Sequence, residues 1–285
     1  MQATGRTHRT LYRAPISAHC QRLLLLWLLW PLLWLQARHV RRKTPRLPEP
    51  PGHRAGTAGC GSLVRLLVAG DSGAAGVGAA TQDQALCGQL VQCLSRYHTV
   101  EWCVLAVNGL DSPGLLKLLQ HAPRARFDVV VLSMGANDAT GLCAPWKWAQ
   151  WQTRLAEVID SRFAPALLVH SAVPPMHACL ALPQPLRWFM GLWAKQMNQC
   201  LAGLLIDQVG RTMHWHPGST TTAGMAADGI HPSSEGYAAW ADGLSRCILD
   251  AQAPCITKAA RTATPAKAAA RSDLRHQSCL LGPNG

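Results

Sequence analysis

The chain has 285 residues, a formal net charge of +12 and eleven cysteines. Its length suits one domain of ordinary size with tails, or two small domains. The charge lies at the ends: residues 1–60 hold ten Lys/Arg and one Glu, and residues 256–285 hold five Lys/Arg and one Asp. Residues 61–255 therefore carry a formal charge of −1, which argues against a nucleic acid as partner.

The cysteines are odd in number and scattered, and no two form a C-x-x-C pair. Such spacing is typical neither of a zinc site nor of a disulfide scaffold. Several fall on apolar faces, where a free thiol behaves as a small hydrophobic group. We therefore expect reduced cysteines, no bound metal and no cofactor.

Residues 1–60 are predicted to form a basic N-terminal extension. Its residues 23–35 are an apolar Leu/Trp block flanked by arginines, and this block is shorter than the roughly twenty residues of a membrane-spanning helix. Three interpretations stay open: an export signal, a short membrane anchor, or a leader added by a mistaken start codon. The protein is exported or membrane-associated under the first two and cytoplasmic under the third. Residues 38–60, rich in Arg, Pro and Gly, are interpreted as a linker.

Apolar runs alternate with helical patterns from residue 61 to residue 255, the predicted catalytic domain. Such alternation is typical of parallel βαβ units with helices on both faces of the sheet. We predict an α/β fold, a three-layer α/β/α sandwich with a five-stranded parallel sheet of flavodoxin-like topology. The predicted strands cover residues 63–69, 99–107, 127–134, 164–170 and 211–216. A disordered basic tail is expected over residues 256–285.

The first predicted strand ends at Gly70-Asp71-Ser72-Gly73. The glycines permit a sharp turn, and the helix start beyond it offers free backbone N–H groups. Ser72 could be a nucleophile at the carboxyl edge of the sheet or an ordinary helix cap, and this stretch alone does not separate the two. Asp71 is interpreted as a residue that shapes the turn.

Asp228 and His231 lie three residues apart in a bend just before the last predicted helix. A histidine is a natural general base near neutral pH, and a carboxylate on its other ring nitrogen fixes the tautomer. Gly109 and Asn137 each follow a predicted strand, so both would lie at the same sheet edge as Ser72. The backbone N–H of Gly109 and the side-chain amide of Asn137 could donate hydrogen bonds to an oxyanion, and together with Ser72 and His231 they favour a hydrolytic site.

These motifs resemble those of SGNH/GDSL-type hydrolases, particularly bacterial members of unassigned substrate. Gly70-Asp71-Ser72 matches the first block, Gly109 the second, the stretch from Gly135 to Asp138 the third, and the stretch from Asp228 to His231 the fifth. The resemblance implies Ser72 as nucleophile, His231 as base, Asp228 as its partner, and an oxyanion hole formed by Ser72, Gly109 and Asn137. One departure is Gly73, where many members have leucine.

The predicted function is a serine esterase that hydrolyses acyl esters through an acyl-enzyme intermediate. An acyltransferase or thioesterase using the same site stays open, as does a non-catalytic binding domain anchored by its basic tails. The expected partner is a small-molecule ester, with membrane association through residues 23–35 and a monomeric state. His170, His177 and Trp146 are further candidates for lining the substrate pocket, and for each of them a structural role is the alternative.

Overall fold

The computed structural model describes residues 16–215 and 222–262. The first fifteen residues of the predicted N-terminal extension and residues 263–285 of the predicted tail lie outside the described residues. The last helix runs to Thr262 and so enters the segment for which we predicted disorder. The rest of that prediction stays untested.

One mixed sheet of six strands forms the middle layer, in the order β1-β3-β2-β4-β5-β6. Strands β2 to β6 are parallel and follow the flavodoxin-like order, which confirms the predicted α/β sandwich. The predicted count of five strands was wrong by one, because β1 joins the outer edge antiparallel to β3. The strands are β1 (Ala55–Ala58), β2 (Ser62–Gly70), β3 (His98–Ala106), β4 (Val129–Ser133), β5 (Leu167–Ser171) and β6 (Arg211–His214).

Strand β1 comes from the segment that we interpreted as a linker. Its four residues, Ala-Gly-Thr-Ala, have no alternation of apolar and polar side chains, so periodicity gave no signal for a strand. Backbone pairing with β3 holds it in register, with Ala55 opposite Cys103 and Ala58 opposite Val100. The folded domain therefore begins before Gly61.

Alternate residues of the central strands face opposite helical layers. Leu66 and Val68 of β2 lie in the core beneath α3 and α8, whereas Leu67 and Ala69 face α4 and α6. A third cluster joins α7 to α1 and to the loop after β5. The helices are α1 (Ile16–Lys43), α2 (Ser72–Ala75), α3 (Leu86–Leu94), α4 (Ser112–His121), α5 (Ala136–Thr140), α6 (Pro145–Phe163), α7 (Leu186–Leu205) and α8 (Ser234–Thr262).

Helix α1 contains the apolar block of the N-terminal extension and packs against α7. Leu33 and Val40 are buried there, and the Gln36 side chain donates to the carbonyl of Gln184 (2.8 Å) and accepts from the amide of Leu186 (3.1 Å). In the described part of the chain, no helix combines the length and the apolar character needed to cross a membrane. Membrane association stays a prediction.

Candidate active site

The site lies at the carboxyl edge of the sheet, where β2 and β4 end side by side. Gly70, the last residue of β2, pairs with Ser133, the last residue of β4. A Cβ at Gly70 would collide with the carbonyl oxygen of Ser133, so only glycine allows this close approach. The amide of Asp71 then donates to that carbonyl (3.1 Å), which turns the chain out of the sheet. Ser72 follows as the first residue of α2.

Asp71 caps this short helix. Its Oδ1 accepts a hydrogen bond from the backbone N–H of Gly73 (3.1 Å), and Gly76 ends the helix in the left-handed conformation. The side chain of Asp71 is 3% exposed. Its contacts agree with the interpretation of Asp71 as a turn-shaping residue.

Replacing Asp71 with asparagine is expected to stabilise the protein more at pH 7 than at pH 4. Burial raises the pKa of Asp71 from 3.8 to about 6, the hydrogen bond from Gly73 only partly opposing it. Between these values the folded state keeps a proton that the unfolded state has lost, so wild-type stability falls as pH rises. The pKa shift corresponds to a loss of about 3 kcal/mol in the free energy of unfolding of the wild type, and this loss is complete above pH 6. Urea unfolding from pH 4 to 7 measures the difference, and a difference that is constant with pH would contradict it.

Ser72, His231 and Asp228 form a continuous hydrogen-bonded chain. The Nε2 atom of His231 lies 3.0 Å from the Oγ of Ser72, and its Nδ1 lies 2.5 Å from the Oδ2 of Asp228. With the Nδ1 proton directed at the carboxylate, Nε2 is left to accept the serine hydroxyl proton. The fold thus joins the turn after β2 to a bend 159 residues further along the chain.

The carboxylate of Asp228 is held in its ionised form. Burial alone would raise its pKa, but hydrogen bonds from the His231 ring and from the backbone N–H groups of Ile230 and His231 outweigh it and lower the pKa. Both backbone bonds are 3.0 Å long and reach Oδ1, which leaves Oδ2 to the ring. An ionised acceptor in this position would stabilise a protonated imidazole.

One hydrogen bond closes the bend that carries His231, and another anchors the helix that follows it. The amide of Ala226 donates to the carbonyl of His231 (2.8 Å), and the hydroxyl of Tyr237 donates from α8 to the carbonyl of Val77 (2.7 Å). The second bond ties α8 to the loop that follows α2. His231 and Ser72 are therefore connected through the fold as well as through their own hydrogen bond.

Gly109 and Asn137 lie on neighbouring loops at the same sheet edge. Gly109 occupies the turn after β3 with a φ of +84°, and Asn137 is the second residue of α5. The Asn137 side chain donates to the carbonyl of Leu110 (2.8 Å), so it is held against the turn that contains Gly109. The Asn137 amide has a second N–H that this bond does not use.

A cavity of about 380 Å³ opens beside Ser72 and His231. Its walls are mainly apolar and come from the end of β4, from the loop after β5, from the segment that leads through Met225 to His231, and from the first turns of α8. The large side chains that line it are Met134, Met176, Met225, Ile230 and Trp240.

Trp240 also accounts for the unusual glycine after the serine. A Cβ at Gly73 would stand 3.2 Å from the Trp240 ring, so a leucine there would need the indole to move. The indole is fixed by a hydrogen bond from its Nε1 to the Oγ of Ser171 (3.1 Å). The tryptophan therefore occupies space that a larger side chain at position 73 would take.

Sequence reasoning placed some residues at the pocket that the structure places elsewhere. Neither His170, His177 nor Trp146 belongs to the cavity lining in the described part of the chain. His170 lies in the core beside Gln152, with its Nδ1 3.4 Å from Oε1, and burial lowers its pKa to about 4. Trp146 is 63% exposed on the first turn of α6.

The cavity walls were mostly missed from the sequence. Gly236, Ala239 and Trp240 of α8 line the cavity at helical spacing, which was a usable signal. Met134 gave none, because a methionine at the end of an apolar run looks like any core residue. The irregular segments also contribute to the walls: Pro174, Pro175 and Cys179 come from the loop after β5, and Ala223 and Met225 precede the bend that carries His231.

More than half of the chain matches the sequence profile of a known family. Residues 68–239 match the sequence profile of the GDSL-like lipase/acylhydrolase family. A GDSL-like esterase of Mycobacterium tuberculosis is 27% identical over 247 residues, which cover 77% of this chain and 76% of that protein.

Two solved structures share the fold. A carbohydrate esterase family 2 enzyme of Corynascus thermopiles, solved with a carbohydrate-binding domain, is 14% identical over 73% of this chain and 69% of its own, with a TM-score of 0.54. The psychrotrophic esterase EstA of a Pseudoalteromonas species is 16% identical over 65% of this chain and 97% of its own, with a TM-score of 0.50. At these identities the likeness concerns the fold alone.

Proposed function

This chain belongs to the GDSL-like lipase/acylhydrolase family, and from that premise we propose that it hydrolyses acyl esters through a triad of Ser72, His231 and Asp228. It is a hydrolase that acts on ester bonds. The observation that carries the proposed mechanism is the hydrogen-bonded chain from Asp228 to His231 to Ser72.

In the first half-reaction the Oγ of Ser72 attacks the ester carbonyl carbon while Nε2 of His231 takes the hydroxyl proton. Negative charge then develops on the carbonyl oxygen, and we assign its stabilisation to the N–H groups of Ser72, Gly109 and Asn137. As the carbon–oxygen bond to the alcohol breaks, His231 passes its proton to the departing oxygen. Ser72 is left acylated.

In the second half-reaction a water molecule takes the place of the alcohol. His231 removes its proton as it attacks the acyl-enzyme, and the proton returns to Ser72 when the carboxylic acid leaves. The ionised carboxylate of Asp228 steadies the imidazolium in both halves. The hydrogen bonds that link all three side chains support a serine esterase over the alternative of a non-catalytic binding domain.

The volume and the apolar walls of the cavity favour an ester substrate whose acyl group is longer than acetyl. We expect kcat/KM for p-nitrophenyl esters to rise about fourfold for each methylene added beyond acetyl, until the cavity is filled, because each buried methylene contributes about 0.8 kcal/mol. An ester panel from acetyl to dodecanoyl measures this, with Ser72→Ala as the background. If the acetyl ester gave the highest kcat/KM of the panel, the assignment of the cavity to the acyl group would be contradicted.

A substitution at the cavity provides the matched test. Ala239 lines the cavity on α8, whereas its neighbour Ala238 does not. Ala239→Phe should shift the preferred acyl group to a shorter one and lower kcat/KM for the octanoyl ester by about tenfold, with little change for the acetyl ester. Ala238→Phe should leave the chain-length profile unchanged.

A further inference from the structure

The segment before β1 contacts the turn that carries Gly109. One carboxylate oxygen of Glu49 accepts the backbone N–H of Asn108 (2.7 Å), and the Asn108 side chain donates to the carbonyl of Leu47 (3.5 Å). Both residues of the segment precede residues 68–239, which match the family profile. The contact therefore joins residues outside the region that matches the family profile to a turn inside it.

The turn itself consists of Val107 to Leu110. Its closing bond runs from the amide of Leu110 to the carbonyl of Val107 (3.4 Å), and Gly109 takes the third position with a φ of +84°, as in a type II turn. Such a turn interconverts with other turn types by rotation of its central peptide. That peptide carries the N–H of Gly109, which has no acceptor among the described residues.

The turn is held at two points, one on each side of this peptide. Glu49 holds the N–H of Asn108, and the Asn137 side chain holds the carbonyl of Leu110. These two bonds oppose rotation of the peptide between them and so restrict the orientation of the Gly109 N–H. A fixed donor is what stabilises an oxyanion without reorganisation when charge develops.

A carboxylate near a developing oxyanion would by itself oppose the reaction. Arg54 offsets that charge: its Nη1 pairs with the second oxygen of Glu49 (2.8 Å), and its Nη2 donates to the carbonyl of Ala106 (2.5 Å). The guanidinium thereby joins Glu49 to the end of β3, directly before the turn. The pair is about one third exposed at each side chain, so solvent only partly screens it.

We propose that Glu49, supported by Arg54, is a positioning residue that fixes the Gly109 N–H in the oxyanion hole. The inference rests on the proposed function, since it concerns a donor of that mechanism. Its alternative is a purely structural role, in which Glu49 only fastens β1 to the sheet. The two differ in what they change: orientation of an oxyanion donor acts on kcat, whereas loss of a fastening acts on stability.

The test measures kcat, KM and thermal unfolding of the full chain with p-nitrophenyl butyrate. Glu49→Ala should lower kcat by about tenfold with KM within about twofold of wild type, because a misplaced donor weakens only transition-state binding. Glu49→Gln keeps an acceptor oxygen for Asn108 and should stay within about threefold of the wild-type kcat. Where Glu49→Ala does not fold, Glu49→Asp, one methylene shorter, should show the same loss.

Glu101 provides the control. It lies on β3 in an exposed pair with Arg65 (3.2 Å), so Glu101→Ala removes a comparable ion pair without touching the turn and should leave kcat unchanged. A wild-type kcat in Glu49→Ala, or an equal loss in Glu49→Gln, would overturn the proposal. If Ser72→Ala abolishes turnover while Glu49→Ala does not change it, only this inference fails. If Ser72→Ala stays active, the proposed function fails and this inference with it.

Discussion

Replacing Ser72 with alanine is expected to abolish ester turnover while leaving the fold intact. The hydroxyl is the only group of this side chain that the proposed reaction uses, and without it no acyl-enzyme forms. In triads of this kind, loss of the nucleophile lowers kcat by about 10⁶-fold, so the rate should fall to the background of the assay. Steady-state hydrolysis of p-nitrophenyl butyrate measures it, with circular dichroism as the check on folding.

Ser62 offers a matched control for this substitution. It lies at the opposite end of the same strand, β2, and its hydroxyl lies 3.0 Å from the ring of His98 on the surface. Ser62→Ala should turn over esters at the wild-type rate. A fluorophosphonate probe should label the wild type and Ser62→Ala at Ser72 and should not label Ser72→Ala. Turnover that persists without Ser72 would exclude the proposed nucleophile.

Replacing Asp228 with asparagine should lower kcat by about 10³- to 10⁴-fold near neutral pH. The asparagine oxygen can still accept the backbone N–H groups of Ile230 and His231, so the bend should keep its shape. Its amide group, however, would donate to Nδ1 of His231 and move the ring proton to Nε2. The ring would then present a proton to Ser72 instead of an acceptor, which removes the base.

The contrast with Asp242 separates this effect from a general loss of charge. Asp242 pairs with Arg246 on the exposed side of α8, so Asp242→Asn should keep the wild-type kcat. A kcat of Asp228→Asn within tenfold of wild type would mean that another group orients His231. Asp71 would then be the first to examine, since it is the buried carboxylate beside Ser72.

The sheet could be predicted because its strands have a clear sequence signal. Strand β4 begins with three consecutive valines and is buried on both faces, and β2 has a similar apolar run before its glycine turn. Parallel strands separated by helices then leave few possible topologies. Strand β1 was missed for the opposite reason: its small residues bury little, and only backbone pairing across the sheet makes it a strand.

The candidate site divides in the same way. Ser72, Asp228 and His231 could be proposed from the sequence because the glycine turn and the short Asp228–His231 spacing are local features, and the helix cap at Asp71 is local too. The contact of Glu49 with Asn108 spans 59 residues and joins two irregular segments, so nothing in either segment indicates the other. The cavity walls also depend on packing between distant elements. The same holds for the contact of Trp240 with Gly73, which accounts for the glycine at that position.

Strand β1 has a consequence beyond its contact with the turn. It covers the outer edge of β3, whose backbone N–H and C=O groups would otherwise be free to pair with the edge of another molecule. A fragment that begins at Gly61 would lack this cover, and the β3 residues from Val100 to Cys103, with which β1 pairs, would become an open edge. Such edges promote self-association. We therefore expect the short segment from Ala55 to Ala58 to keep the domain from associating with other copies through this edge.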